Sequence, residues 1–251
     1  MQPSALERAQ VEGFDDAQRR GWRLLADVAR EVHVGMSEVE IEAIAHDKAS
    51  AHGFDRWFHP PEVQVGARIG KSRVLRGASA SARIKPGELV AIDLAPSGAE
   101  FYADVGVTLH VAEPGAAEPE LLQVARECAR GCVGYASQWK TVGEIFVFAK
   151  SWANNHRYQL ASEGAIGHAI LPKAGLLSLG FPASAHAAAR LRRYQVHFLH
   201  PARIRGAWAF RPVVRGDGLT ASFEELVYID GEEKRILGRA NLSEVGTLPA
   251  L

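Results

Sequence analysis

Two aspartates on either side of a turn are the feature that most restricts how this chain can fold. The segment VAIDLAPSGAEFYADVG places Asp93 and Asp104 around a turn at Ser97-Gly98. A hairpin symmetric about that turn pairs the two aspartates directly, with Cβ atoms ~4.5–5.5 Å apart. Like charges in that position destabilise a sheet unless a cation compensates them. The spacing therefore predicts a divalent metal site; the alternative is a slipped register with two solvated carboxylates.

The pattern around this hairpin predicts a helix–helix–strands unit that occurs twice. Ser37 and Thr141, 104 residues apart, each precede a helical pattern and have a glutamate three residues later, as in a capping box. Further helices are predicted over the first ~35 residues and over 120–139. Strands are predicted at 63–66, 89–96, 101–111, 164–171, 194–199 and 223–229. Two similar halves predict an α+β domain spanning 1–251, with one curved antiparallel sheet covered by helices.

Composition excludes several classes of partner. The 29 basic and 29 acidic residues cancel, so the chain lacks the positive field that a generic nucleic-acid or membrane surface requires. Apolar runs stay well short of the ~20 residues of a membrane helix, and the N-terminus is too polar for a secretory signal. Cys128 and Cys132 are expected to be free thiols in a reducing compartment. We expect a cytoplasmic protein with a small-molecule or short-peptide substrate, and a homodimer remains open.

A later histidine and glutamate complete a recognisable order of ligands. His168 lies within AIGHAIL and Glu224 within ASFEELVYIDG. The order Asp, turn, Asp, Gly-His loop and late glutamate resembles the pita-bread family of methionine aminopeptidases, Xaa-Pro peptidases and creatinase, over about residues 20–240. The resemblance implies the pita-bread fold with two pseudo-symmetric halves. It also implies that Asp93, Asp104, His168 and Glu224 bind one divalent ion, which would be Mn, Fe, Co or Zn.

One glutamate of the family's ligand set has no counterpart in this chain. Matching RRYQVHFLHP to its position puts Gln195 there, which is the alignment we prefer; matching WAFRPVV puts Arg211 there instead. Neither residue is a carboxylate, so a strong base is missing and the remaining ligands suffice for one ion. Glu225 follows Glu224 directly and is expected to face solvent, because neighbouring strand residues alternate.

Five further residues are candidates for the pocket around this ion. His197, on the same expected strand face as Gln195, is a candidate nitrogen ligand or proton-transfer group, and a packed polar residue is the alternative. His59 in RWFHPPE is a second candidate for proton transfer. Trp57, Arg76 and Gln195 are expected to line the substrate pocket. Ordinary loop packing is the alternative for Trp57 and His59.

The resemblance implies a metal-dependent hydrolase that acts on a peptide or small amide, with little or no peptidase activity because of the missing groups. One alternative is a non-peptidase enzyme of specialised small-molecule metabolism, creatinase-like or using iron and oxygen. Another is a binding protein without catalysis. Metal content separates the first hypothesis from the creatinase-like and binding alternatives.

Overall fold

The computed structural model describes residues 8–71, 77–112, 115–161, 165–171 and 195–238. Within them lie four α-helices: α1 Arg8–Ala29, α2 Glu38–Ala49, α3 Glu120–Tyr135 and α4 Val142–Asn155. The strands are β1 Arg56–Val65, β2 Glu88–Ser97, β3 Val105–Val111, β4 Gln159–Leu160, β5 Gly167–Ile170, β6 Gly206–Phe210, β7 Val213–Gly216, β8 Leu219–Ser222, β9 Glu225–Asp230 and β10 Glu233–Leu237. Two short 3₁₀ turns cover Ser50–His52 and Gly66–Arg68.

The strands form three antiparallel sheets, in the orders β1-β2-β3, β10-β9-β6-β5 and β4-β7-β8. A backbone bridge between Val107 and Phe223 links β3 to the residues between β8 and β9. The predicted mixture of helices and antiparallel sheet is therefore confirmed, but the expected single sheet is divided into three hydrogen-bonded sheets. No helix in the described ranges has both the length and the apolar character needed to cross a membrane.

The predicted repeat is visible in the backbone. Ser37 and Thr141 both cap their helices through complete capping boxes, with the glutamate three residues on. After each helix the chain reverses in the same way. The N–H of Phe54 donates to Ala49 at 3.1 Å, and the N–H of Tyr158 makes the equivalent bond to Ala153 at 2.9 Å. Each half thus ends its helix with the same turn before a strand begins.

Helices cover the outer face of each half and leave an inner face for a site. α1 and α2 pack on β1–β3 around a buried cluster that includes Trp22, Phe54 and Leu94. α3 and α4 pack on the second half, where both cysteines are buried free thiols, as predicted. Glu225 is 4% exposed and forms an ion pair with Arg130 of α3 at 3.6 Å. The prediction that Glu225 faces solvent is wrong, because α3 covers that face of β9.

The segment predicted as a strand over 194–199 takes a different form in its described part. Gln195 forms an isolated bridge with His168, and the N–H of His200 then donates to His197 in a turn. Phe198 and Leu199 are exposed in that turn. A run of aromatic and β-branched residues predicted a strand here, but the chain pairs for only a residue or two before it reverses.

Candidate metal centre

The β2–β3 hairpin brings both aspartates to one face, in a register that differs from the prediction. Asp93 pairs with Gly106, two residues beyond its predicted partner Asp104. The turn is closed by Gly98 and Phe101 at 2.9 Å, so it lies one residue later than Ser97-Gly98 suggested. The prediction that the two aspartates pair directly across the hairpin is therefore wrong. A shift of two residues preserves the side-chain face, so Asp104 becomes a diagonal neighbour of Asp93, and both are at most 5% exposed.

A break in strand pairing brings His59 to the same face. Trp57 pairs with Pro96, but His59 pairs with Ala95, so one extra residue of β1 is accommodated between them. Such a bulge re-aims the following side chain. Without it, His59 would be on the opposite face from Asp93. As it is, His59 Nε2 lies 3.7 Å from Asp93 Oδ1 and 4.0 Å from the nearer oxygen of Asp104.

Glu224 approaches the aspartates across a glycine. Its backbone N–H donates to the carbonyl of Gly106 at 2.9 Å. A Cβ atom on Gly106 would lie only 3.1 Å from Glu224 Oε2, so the carboxylate occupies the space that a larger residue would fill. Glu224 is 3% exposed. The second half of the chain therefore contributes a third buried carboxylate to the face that carries Asp93 and Asp104.

Arg211 also reaches this face. Ala209 pairs with His168, so Arg211, two residues further along, points to the same side as His168. Its guanidinium donates to Asp93 Oδ2. Arg211 therefore lies beside the carboxylates, whereas Gln195 is partly exposed and pairs through its backbone with His168. The contact of Arg211 with Asp93 favours the WAFRPVV alignment over the Gln195 alignment that we preferred.

The buried carboxylates are incompletely satisfied by protein groups. Asp93 Oδ1, Asp104 Oδ2 and Glu224 Oε2 are buried without a hydrogen-bond partner among the described residues. His168 Nε2 lies 2.9 Å from Asp104 Oδ2, but the contact does not have hydrogen-bond geometry. Buried polar atoms without partners cost free energy, and several in one cluster indicate a missing ligand.

The two titratable groups from the second half reflect this excess of negative charge. Burial and the charge of Asp104 raise the pKa of Glu224 to about 8, although Arg211 and His168 oppose the shift. Burial disfavours the charged form of His168, but the Asp104 carboxylate outweighs burial and raises the pKa of that imidazole to about 9. In the metal-free protein, protons on these two groups thus offset part of the negative charge that a bound cation would offset.

The residues present fit one divalent ion. His59, Asp93 and Asp104 each offer a ligand atom, and these atoms lie within 4.8 Å of one another. Carboxylate oxygens with an imidazole nitrogen suit Mn, Fe, Co or Zn. His59 was expected to transfer protons, and its position as a candidate ligand was missed because the bulge in β1 is not evident from the sequence pattern. The metal-ligand roles of His168 and Glu224, at the edge of this group, remain predictions.

Of the remaining predicted site residues, Trp57 and His197 fall within the described part of the chain. Trp57 is on the opposite face of the sheet, with its ring 5.1 Å from His46 of α2, so it does not line the carboxylate face. The ring of His197 lies 5.2 Å from that of His200, in the turn after Gln195, and its catalytic role remains a prediction. Arg76 lies outside the described residues.

Two aromatic residues that sequence reasoning missed form a wall beside the site. Phe58 stacks on Tyr102, with ring centroids 4.6 Å apart, and lies 6.5 Å from the ring of His168. Tyr102 is buried, and burial raises the pKa of its hydroxyl. Phe58 precedes His59 within the bulge, so both side chains reach the site through the same irregularity.

Comparison with known proteins gives a consistent result. The model of metallopeptidase family M24 matches residues 12–230. Prolidase from Pyrococcus furiosus superposes with a TM-score of 0.73 at 17% identity, over 94% of this chain and 65% of that one. The X-Pro aminopeptidase of Thermotoga maritima gives a TM-score of 0.71 at 16% identity, over 93% of this chain and 62% of that one.

Methionine aminopeptidase from Thermotoga maritima matches along nearly its whole length. Its TM-score is 0.69 at 15% identity, over 94% of this chain and 99% of that one. The chain thus spans less than two thirds of the prolidase and the X-Pro aminopeptidase. No curated protein sequence gives a significant match. The solved structures confirm the predicted pita-bread fold.

Proposed function

The chain belongs to metallopeptidase family M24, and on that premise we propose that it is a metal-dependent hydrolase acting on a short peptide or small amide with one divalent ion bound. The observation that carries the proposal is the convergence of His59, Asp93 and Asp104 within 4.8 Å. Unpartnered buried oxygens on Asp93 and Asp104 support it, because a cation satisfies them together.

The proposed mechanism divides the work between two sets of residues. Asp93, Asp104 and His59 hold the ion, which when bound lowers the pKa of water and polarises a carbonyl group. Glu224 Oε2, which is buried on the same face without a hydrogen-bond partner among the described residues, exchanges a proton with the reacting groups. His168 Nε2, beside Asp104, holds a proton that it can donate to a leaving nitrogen. The wall of Phe58 and Tyr102 limits access of water on one side.

The class of substrate is the less specific part of the proposal. The similar structures are named as prolidases, X-Pro aminopeptidases and methionine aminopeptidase, which supports a peptide or amide bond as the target. Arg211 contributes a positive charge where a further carboxylate would supply a base. We therefore expect slow turnover of ordinary dipeptides and better turnover of an activated amide.

Metal binding and hydrolysis test this proposal directly. Metal-free protein is titrated with Mn²⁺, and we expect one tightly bound ion per chain. Asp104→Asn is expected to abolish that binding, whereas Asp47→Asn, which removes an exposed carboxylate on α2, should leave it unchanged. Hydrolysis of Met-Ala, X-Pro dipeptides and an activated anilide is then measured with and without Mn²⁺. Absence of bound metal together with absence of any metal-stimulated hydrolysis contradicts the proposal.

A metal-free hydrolase of a small C–N compound is the second candidate. It is favoured by two contacts between cationic side chains and the aspartates. Arg211 contacts Asp93, and His168, with its raised pKa, lies beside Asp104. The net charge of the metal-free site is then close to zero. Turnover of a small amide or amidine that survives exhaustive chelation would distinguish this candidate from the first.

A further inference from the structure

The guanidinium of Arg211 contacts a cluster rich in metal ligands through Asp93. Three buried carboxylates and two imidazoles converge on one face: Asp93, Asp104, Glu224, His59 and His168. Two-metal hydrolytic sites hold their ions ~3.5–4 Å apart and share ligands between them. Five ligand-type side chains are enough for such a pair, so the number of ions is a question of charge and space.

The two carboxylate oxygens of Asp93 face different groups. The guanidinium of Arg211 donates to Oδ2, and the other oxygen, Oδ1, faces His59 at 3.7 Å. An ion held by His59 and Oδ1 is compatible with this arrangement. A second ion that shared the Asp93 carboxylate would compete with the guanidinium for Oδ2.

The same side chain also approaches the third carboxylate. Arg211 Nε and Glu224 Oε2 lie 3.4 and 3.1 Å from the point where a Cβ of Gly106 would be. Glycine at this position lets the two side chains pass side by side over β3. The positive charge of Arg211 therefore lies between the carboxylates of Asp93 and Glu224.

Charge counting in the metal-bound state supports a single ion. Metal ligands must be deprotonated, so the carboxylates are then ionised and the imidazoles neutral. The three buried carboxylates carry three negative charges in that state, and one divalent ion together with the guanidinium balances them. A second divalent ion would leave the buried cluster with an excess of two positive charges, which is costly away from water. A fourth carboxylate in place of Arg211 would instead require two divalent ions for balance.

We propose that Arg211 is a built-in second cation, which occupies one half of a two-ion site and restricts the protein to a single divalent metal ion. The inference rests on the proposed metal-dependent function. It assigns Arg211 as a positioning residue that orients Asp93 and sets the metal stoichiometry.

The test is metal stoichiometry in Arg211→Glu, measured by Mn²⁺ titration calorimetry and by electron paramagnetic resonance of the loaded protein. We expect a change from one ion in the wild type to two in the variant, with the spectrum of a magnetically coupled pair. Arg211→Lys keeps the charge and should still bind one ion. The matched control is Arg215→Glu, which makes the same charge change on β7, where Arg215 contacts Thr220 at 3.2 Å; it too should bind one ion.

The outcomes separate the inference from the proposed function. One ion in both wild type and a folded Arg211→Glu overturns the inference and leaves the proposed function standing. Two ions in the wild type overturn the inference and the single-ion stoichiometry, and leave metal-dependent hydrolysis standing. No ion in the wild type overturns both. Thermal unfolding checks that each variant is folded. If Arg211→Glu does not fold, Arg211→Gln replaces it: a second, weaker Mn²⁺ site absent from Arg211→Lys supports the inference, and its absence overturns it.

Discussion

Gly167→Ala is expected to be among the most destabilising small substitutions in this protein. Gly167 has φ of 146°, a region that residues with a Cβ rarely adopt. A methyl group there would overlap the carbonyl oxygen of Ala209 and would lie 2.9 Å from its carbonyl carbon and 3.0 Å from Phe210 Cα. All three atoms belong to the backbone of β6, so no side-chain rotation relieves the overlap. β5 and β6 must separate at the residue that precedes His168.

Two contributions set the expected magnitude. Overpacking in a rigid environment costs about 1–3 kcal/mol. A backbone conformation forced into a sparsely populated region costs about 1–3 kcal/mol more. The sum, roughly 2–6 kcal/mol, is a large part of the 5–15 kcal/mol that stabilises a typical domain. Displacement of His168 should also disturb the proposed ligand Asp104, which it contacts at 2.9 Å, so Mn²⁺ affinity is expected to change in any folded fraction.

Urea denaturation followed by circular dichroism measures the effect as a decrease in the midpoint at constant slope. Gly134→Ala is the matched control, since a Cβ at Gly134 in α3 meets no atom within 4 Å. That substitution is expected to be neutral or to stabilise by up to about 1 kcal/mol. A loss below about 1 kcal/mol for Gly167→Ala would show that the β5–β6 pairing is not as described and would refute the reasoning.

Two other predictions concern pH and helix capping. The pKa of His168 rises from 6.5 to about 9 and that of Glu224 from 4.5 to about 8, so the folded, metal-free protein binds more protons than the unfolded chain over these intervals. Its unfolding free energy should therefore fall as pH rises through 6.5–9. A urea midpoint that increases over that window would contradict the two assignments, and saturating Mn²⁺ should weaken the dependence. Thr141→Ala removes the capping box of α4 and should cost about 1 kcal/mol, measured by thermal unfolding. Thr220→Ala makes the same substitution in strand β8, where the threonine caps no helix, and tests whether the loss is specific to capping.

The face on which the site lies could be predicted from sequence, but its exact pairing could not. The alternation of residues in VAIDL and ADVGV placed Asp93 and Asp104 on one side of a hairpin. The two-residue error in register came from the turn, because Ser97-Gly98 is a strong local turn signal while the chain closes between Gly98 and Phe101. An even shift preserved the face, so the prediction of a shared site survived the error.

Irregular features were harder to recognise. Pro60-Pro61 lacks two backbone donors and interrupts pairing within β1, which is a readable signal for the second irregularity after His59. The Asp217-Gly218 turn, with φ values of 53° and 77°, joins β7 to β8 as a two-residue hairpin typical of that dipeptide. It was missed because the flanking residues do not alternate clearly. The position of Arg211 beside Asp93 could not be predicted, because spacing alone favoured the Gln195 alignment.

The bulge in β1 shows that the pairing register, as well as the identity of the residues, decides whether the centre can form. If the strand paired regularly with Phe58 in place, His59 would lie opposite Leu94 and its imidazole would face the helices. Deleting Phe58 has a different effect, because Trp57 and His59 then become consecutive residues opposite Pro96 and Ala95 and the imidazole keeps its face. A related chain one residue shorter at this point can therefore keep the ion and lose only the ring that stacks on Tyr102.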